Sequence, residues 1–233
     1  MSIDEIENEL AVMQLSDSFF PSGIFATSNG LEFLFYEKSI HGADDVFDLI
    51  VTSLNQQIGP TDCVILSSVI DNAERKEINE IIENDNILYS SKLIRETREA
   101  STRSGIQVVK CVSEFIEDDI LLQYKNSLIE KKAYGIFPVA LAVCCSALNI
   151  KKERSMAIMM YSFTVGMVGA ALRLGMIQHF EGQRIIHKVK PIISEIVKEY
   201  SKIKSPEKIW QFTPHIDILQ MSHEKMDSKM FIT

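Results

Sequence analysis

Apolar residues recur every three or four positions along most of the chain. Ile6, Leu10 and Met13 show it, as do Val46, Phe47, Ile50 and Leu54, then Ile78, Ile81 and Ile82, then Ile120, Leu121, Tyr124 and Leu128, and finally Ile185, Val189, Ile192, Ile193 and Ile196. That is the period of a helix with one buried face, and no sustained two-residue alternation competes with it. Asp44 is placed to cap the helix through Val46, Gly59-Pro60 to end it, and Thr61 or Asp62 to open the next. Further breaks fall at Tyr134-Gly135, Asn149, Gly175, Ser205-Pro206 and Thr213-Pro214. The pattern predicts an all-α, single-domain bundle of nine or ten helices over residues 1–233, with no linker or internal repeat to mark a second domain.

Residues 155–172 carry no charge over eighteen positions, the lower limit for a membrane span. Ser162, Gly166 and Ala170 recur within them at four-residue spacing, which lets a neighbouring helix come close. In a chain that is otherwise amphipathic, such a stretch reads as the buried central helix of the bundle.

Two segments depart from the helical pattern. In residues 16–32, Phe19, Phe20 and Phe25 stand among Ser, Thr, Asn, Gly and Pro; Pro21 and Gly23 impose a sharp turn, and Gly30 opens the helix that begins near Glu32. Its aromatics are either packed inside or presented to a partner, and the composition leaves both open. Residues 214–233 form an amphipathic helix and an apolar-tipped tail whose Met221, Met226, Met230 and Phe231 suit an adaptable contact surface. Here too, docking on a partner and docking on the chain's own domain are both open.

A 46% hydrophobic content over 233 residues is enough for a substantial core, and a net charge of −8 argues against nucleic acid or an anionic membrane as the main partner. Cys63, Cys111, Cys144 and Cys145 follow no metal or redox spacing and fit a reducing cytoplasm; the adjacent pair reads as core. The acidic first residues are unlike a secretory signal. No phosphate loop, dinucleotide fingerprint or nucleophile elbow occurs. His223-Glu224 has Asp227 where a zinc motif would have its second histidine, and Asp118-Asp119 reads as a helix start. Among His41, His179, His187, His215 and His223, only His215 and His223 are weak metal candidates, and no set of histidines is assembled by spacing. Residues 95–105 form a charged helix with the spacing for an Arg95–Glu99 pair, and with Ala100, Ser101 and Gly105 to pack on one side while the other meets a partner.

Several of these segments together resemble the urease accessory protein UreF family. Leu15, Ser18, Pro21, Gly23, Phe25, Ser28, Gly30, Leu31 and Glu32 are similar to its opening signature. Arg98, Glu99, Ser101 and Gly105 resemble its Arg-Glu helix, Phe137-Pro138-Val139 its aromatic-Pro-Val helix start, and Arg173-Leu174-Gly175 with Gly182-Gln183 its Leu-Gly to Gly-Gln turn. Pro214, Asp217, His223 and Glu224 are similar to its Pro-x-x-Asp and His-Glu tail. The departures are Ile136 in place of a histidine, residues 176–181 in place of a glutamine-rich loop, and Lys229-Met230-Phe231 in place of Arg-Leu-Phe, which loses a bidentate donor.

The resemblance implies an all-helical, non-enzymatic chaperone for nickel insertion into apo-urease, working in the cytoplasm. It would bind a UreD (UreH) scaffold and recruit or gate a UreG GTPase, as a homodimer, with nickel in transit and no stably bound cofactor. The contact or dimer residues it implies are Phe19, Phe20, Pro21, Gly23, Phe25, Gly30, Glu32, Arg98, Glu99, Arg173, Gln183, His223, Glu224, Lys229, Met230 and Phe231. The residues themselves leave open a helical enzyme or carrier with a pocket in the bundle, built around Arg98, Glu99 or Arg173, and a stand-alone nickel-binding protein.

Overall fold

Helices form where the apolar period is unbroken, and five of them stop just before a residue of positive φ, Lys38, Lys76, Lys131, Asn149 or Gly175. A computed structural model describes residues 3–203 and 205–233, which contain helices and their connections with no strand. In chain order these are α1 (Ile3–Ser16), α2 (Leu31–Tyr36), α3 (Ala43–Ser53), α4 (Val64–Glu74), α5 (Ile78–Ser91), α6 (Arg95–Val112), α7 (Asp119–Ile129), α8 (Phe137–Ala147), α9 (Lys152–Arg173), α10 (His179–Tyr200) and α11 (Pro214–His223). A π-helical stretch, Leu54–Cys63, joins α3 to α4 without a break, so the described residues make ten helical bodies around one core.

The core is built on α8 and α9. From Pro138 to Cys145 every residue of α8 is buried, as expected of a helix apolar on all sides. Cys144 and Cys145 are both inside it. Helix α9 has the length and hydropathy of a membrane span, yet 67% of its apolar window is buried among the other helices. It is the central helix expected of residues 155–172. Helix α10 comes close to it, and a Cβ on Gly182 would stand 2.8 Å from Val168 Cγ1.

Three expectations about helix ends are corrected. Gly59-Pro60 does not end a helix, because Pro60 falls in the wide π stretch, where no α-helical bond to Gln56 is required. The freed Gln56 carbonyl accepts the Phe212 N–H at 2.9 Å, so a later segment satisfies the group that the proline leaves open. Thr61 and Asp62 therefore open no new helix. Thr61 Oγ1 donates to the Trp210 carbonyl, and Asp62 forms a buried ion pair with Lys92 at 2.8 Å. Asp44 lies in the first turn of α3, whose N-cap is Gly42, and Asp45 instead accepts the His41 N–H at 2.7 Å. Asp118 does cap α7, accepting from Leu121 N.

The turn into α8 is held from both sides. Asp85, buried in α5, accepts the backbone N–H groups of Tyr134 (2.5 Å), Gly135 (3.1 Å) and Ile136 (2.9 Å) and the Tyr124 hydroxyl (2.9 Å). Burial pushes its carboxyl up, and these four donors oppose the shift. From the other side α6 presses on the same turn, and a Cβ on Gly105 would stand 2.1 Å from the Gly135 carbonyl oxygen. Gly105→Ala should therefore cost about 3 kcal/mol through overpacking, read as a lowered urea midpoint with an unchanged slope. Asp85→Ala, which strands three backbone donors, should cost a similar amount by the same measurement.

Candidate partner-docking site

The opening segment and the tail, far apart in sequence, meet in space. Asp17 starts the turn, its Oδ1 accepting the Phe19 N–H (2.8 Å) and its carbonyl the Phe20 N–H (3.0 Å). Gly23 has φ +79° and introduces a short 3₁₀ turn, Ile24–Ala26. Gly30, at φ +89°, is the N-cap of α2, and a side chain there would also press on Leu219 and Gln220 of α11. The three phenylalanines divide. Phe20 is buried, Phe25 half-buried, and Phe19 is 91% exposed. Pro21 is exposed on the same turn.

The tail runs along this segment. Ile232 N donates to the Ala26 carbonyl and Ser28 N to the Thr233 carbonyl, both at 2.9 Å, and the Ser28 hydroxyl also donates to Thr233 O. Phe231 and Thr233 are buried, while Met230 and Ile232 are exposed. Arg173 stacks on the Phe231 ring at 4.5 Å and donates to the carbonyls of Phe25 and Gly169 (3.1 Å), tying α9 to both segments. Its partial burial lowers its pKa.

The centre of the arrangement is Glu32, whose side chain is wholly buried. Oε1 accepts the Met230 N–H at 2.7 Å; Oε2 accepts the Phe231 N–H at 3.1 Å and lies 3.0 Å from His223 Nε2. The other His223 nitrogen lies 2.9 Å from Glu96 Oε2, and Lys229 Nζ donates to Glu96 Oε1 at 2.5 Å. An imidazole donates at both nitrogens only when doubly protonated; in that form charge alternates in sign from Glu32 through His223 and Glu96 to Lys229. Burial alone would raise the Glu96 carboxyl, but hydrogen bonds from Lys229 and His223 outweigh it and hold the group below its ordinary value. At the rim, Arg95 pairs with Glu224 rather than with Glu99, because α11 brings Glu224 onto α6; Glu99 faces Arg103 at 3.9 Å instead.

Other expected residues stand apart. Arg98 is turned to structural work, donating to the Lys92 carbonyl at 2.8 Å and lying over Tyr89. Gln183 is exposed on α10, and no described hydrogen bond joins it to the cluster. His215 is exposed at the start of α11, two turns from the buried His223, so the two metal candidates do not converge. Among the described residues no group of three or more metal-ligating side chains is assembled. Glu96, Lys92 and Asp85 have no role in the sequence reading, and Asp62 figures there only as a helix start. Glu96 reads there as one charge in a charged run, and its partners are more than 120 positions away.

Glu32→Gln replaces one carboxylate oxygen by an amide donor, which opposes one of the two tail N–H groups and takes the charge from the acceptor of the other, so amide exchange at Met230 and Phe231 should speed by about tenfold or more. Equal protection in wild type and variant would remove Glu32 from its central place. The sign for Glu96 follows from its depressed value: its contribution is full above the unfolded value of about 4.3 and is lost as pH falls through the lower folded one. NMR of the tail amides on acidification from neutral pH should therefore show loosening only below about pH 4.

A family model described as UreF matches residues 40–190. The urease accessory protein UreF of Bacillus sp. (strain TB-90) is 30% identical over 224 residues, covering 96% of this chain and 98% of that protein. That of Trichodesmium erythraeum (strain IMS101) is 29% identical over 227 residues, 97% of each, and that of Ureaplasma urealyticum serovar 10 is 26% identical over 227 residues, again 97% of each. The similarity to these proteins covers the opening segment and at least the start of the tail, which lie outside the family-model match.

Proposed function

The chain belongs to the UreF family of urease accessory proteins, and on that premise we propose that it is a non-catalytic adaptor for nickel insertion into apo-urease. It binds a UreD (UreH) scaffold and recruits or gates a UreG GTPase, in the cytoplasm and as a homodimer. Nickel passes through the assembled complex and is not stored in this chain. The observation that carries the reading is the seating of the tail. Glu32 and His223 hold residues 223–233 in one conformation, and that conformation turns Met230 and Ile232 outward close to the Phe-bearing turn. An apolar edge on a pre-ordered backbone suits docking, because little conformational entropy remains to be lost on binding.

The double variant Met230→Ser/Ile232→Ser changes only outward side chains and should abolish copurification with the UreD-type partner while helicity and melting temperature hold. Undiminished copurification would count against the tail as the docking edge. The purified chain should turn over no GTP, alone or with nickel, and calorimetry should show no stoichiometric nickel binding that His215→Ala or His223→Gln removes. Turnover by the chain alone would overturn the adaptor assignment.

One feature favours a small-ligand reading as well. A cavity of about 110 Å³ lies between the π stretch, α6 and α9, lined by the Asp62–Lys92 pair, Gln57, Ser104, Phe137 and Phe163; Arg98, Glu99 and Arg173, expected around such a pocket, do not line it. Native mass spectrometry of the intact chain separates the two readings by the presence or absence of a retained mass.

A further inference from the structure

Helix α1 has two apolar faces. Ala11, Val12 and Leu15 pack on the core. On the opposite side Ile3, Ile6, Leu10 and Met13 are exposed, at 75%, 43%, 58% and 64%. Successive residues of a helix are about 100° apart, so these four fall within an arc of about 80° and run for about 15 Å. The helix is held in this orientation by polar clamps. Arg154 pairs with Glu9 (2.6 Å) and donates to Asn8 Oδ1 (2.7 Å), and Asn8 Nδ2 donates to the Asn149 carbonyl (2.9 Å). The apolar spacing that announces α1 in the sequence thus marks mainly a face turned away from the core.

We propose that this face is a docking seam for a basic amphipathic helix of a partner protein. The inference goes beyond the maturation role and does not depend on it. Two observations choose the occupant. The intervals between the exposed residues are three, four and three, the a/d rhythm into which another helix inserts its side chains. The seam is also edged by acid, Glu7 on one side and Glu9, already paired with Arg154, on the other, in a helix that contains no lysine or arginine. A second copy of α1 would bring like charges together along the seam, and an anionic lipid surface would be repelled by the same charges. A helix with an apolar stripe and lysine or arginine beside it meets both demands.

The test uses the full chain and two fluorescent synthetic helices of about three heptads, both with leucine at the seam positions, one flanked by lysine and one by glutamate. Fluorescence anisotropy should show the lysine-flanked helix binding at least about tenfold tighter than the glutamate-flanked one, with an affinity that falls as salt is added. Ile6→Ser/Leu10→Ser, which alters exposed side chains only and should leave the circular dichroism unchanged, should weaken that binding at least about tenfold. Equal binding of the two helices, no binding of either, or no effect of the double variant overturns the proposal. So does co-sedimentation of the chain with phosphatidylglycerol vesicles that the double variant abolishes, or self-association in sedimentation velocity that it abolishes, since these would assign the seam to a membrane or to a second copy.

Discussion

The buried carboxylate of Glu32 is the constraint on which the upper part of the molecule depends. A negative charge taken out of water is costly unless donors surround it. Here the donors are the backbone N–H groups of Met230 and Phe231 and the ring of His223, all from the tail. The opening segment cannot bury Glu32 without the tail, and the Met230 and Phe231 N–H groups of the tail find their acceptor in Glu32. Each therefore specifies the conformation of the other. Glu96 and Lys229 extend the polar network to α6, and Arg173 fastens the same tail to α9 through the Phe231 ring.

Beneath this lies a core in which polar groups have the opposite task of positioning backbone. Asp85 gathers three consecutive N–H groups at the entry to α8, and Gly105 lets α6 come against the same turn. The Gln56 carbonyl, left open by Pro60, is satisfied by Phe212 from the segment leading into α11. The ends of the chain are thereby seated on the middle, with Phe19, Met230, Ile232 and the outer face of α1 left exposed.

Much of the helical content was legible from local pattern. The runs through Val46, Ile81 and Leu121 became α3, α5 and α7, and Asp118 capped where capping chemistry places it. The uncharged stretch at residues 155–172 became the buried α9 because only the other helices were available to cover it. Local reasoning failed at Pro60. The rule that proline ends a helix rests on the carbonyl four residues earlier losing its α-helical donor, and here Phe212 supplied another donor to Gln56 from far along the chain. It failed again at Arg95, whose (i, i+4) partner was outcompeted by Glu224. The same limit applies to Ile6, Leu10 and Met13, where periodicity established a helix but left undecided which of its two apolar faces turns inward.

From the sequence alone came the fold class, the central helix, the family and the two unusual segments, because these rest on periodicity, composition and short motifs carried within a few residues. The tertiary structure decided that Phe20, Phe231 and His223 turn inward while Phe19, Met230 and Ile232 turn outward. It also decided that the tail lies on its own chain. Those outcomes depend on which distant groups can satisfy a buried charge or a freed carbonyl. Such pairings, between Glu32 and Phe231 or Gln56 and Phe212, have no local period by which a sequence could show them.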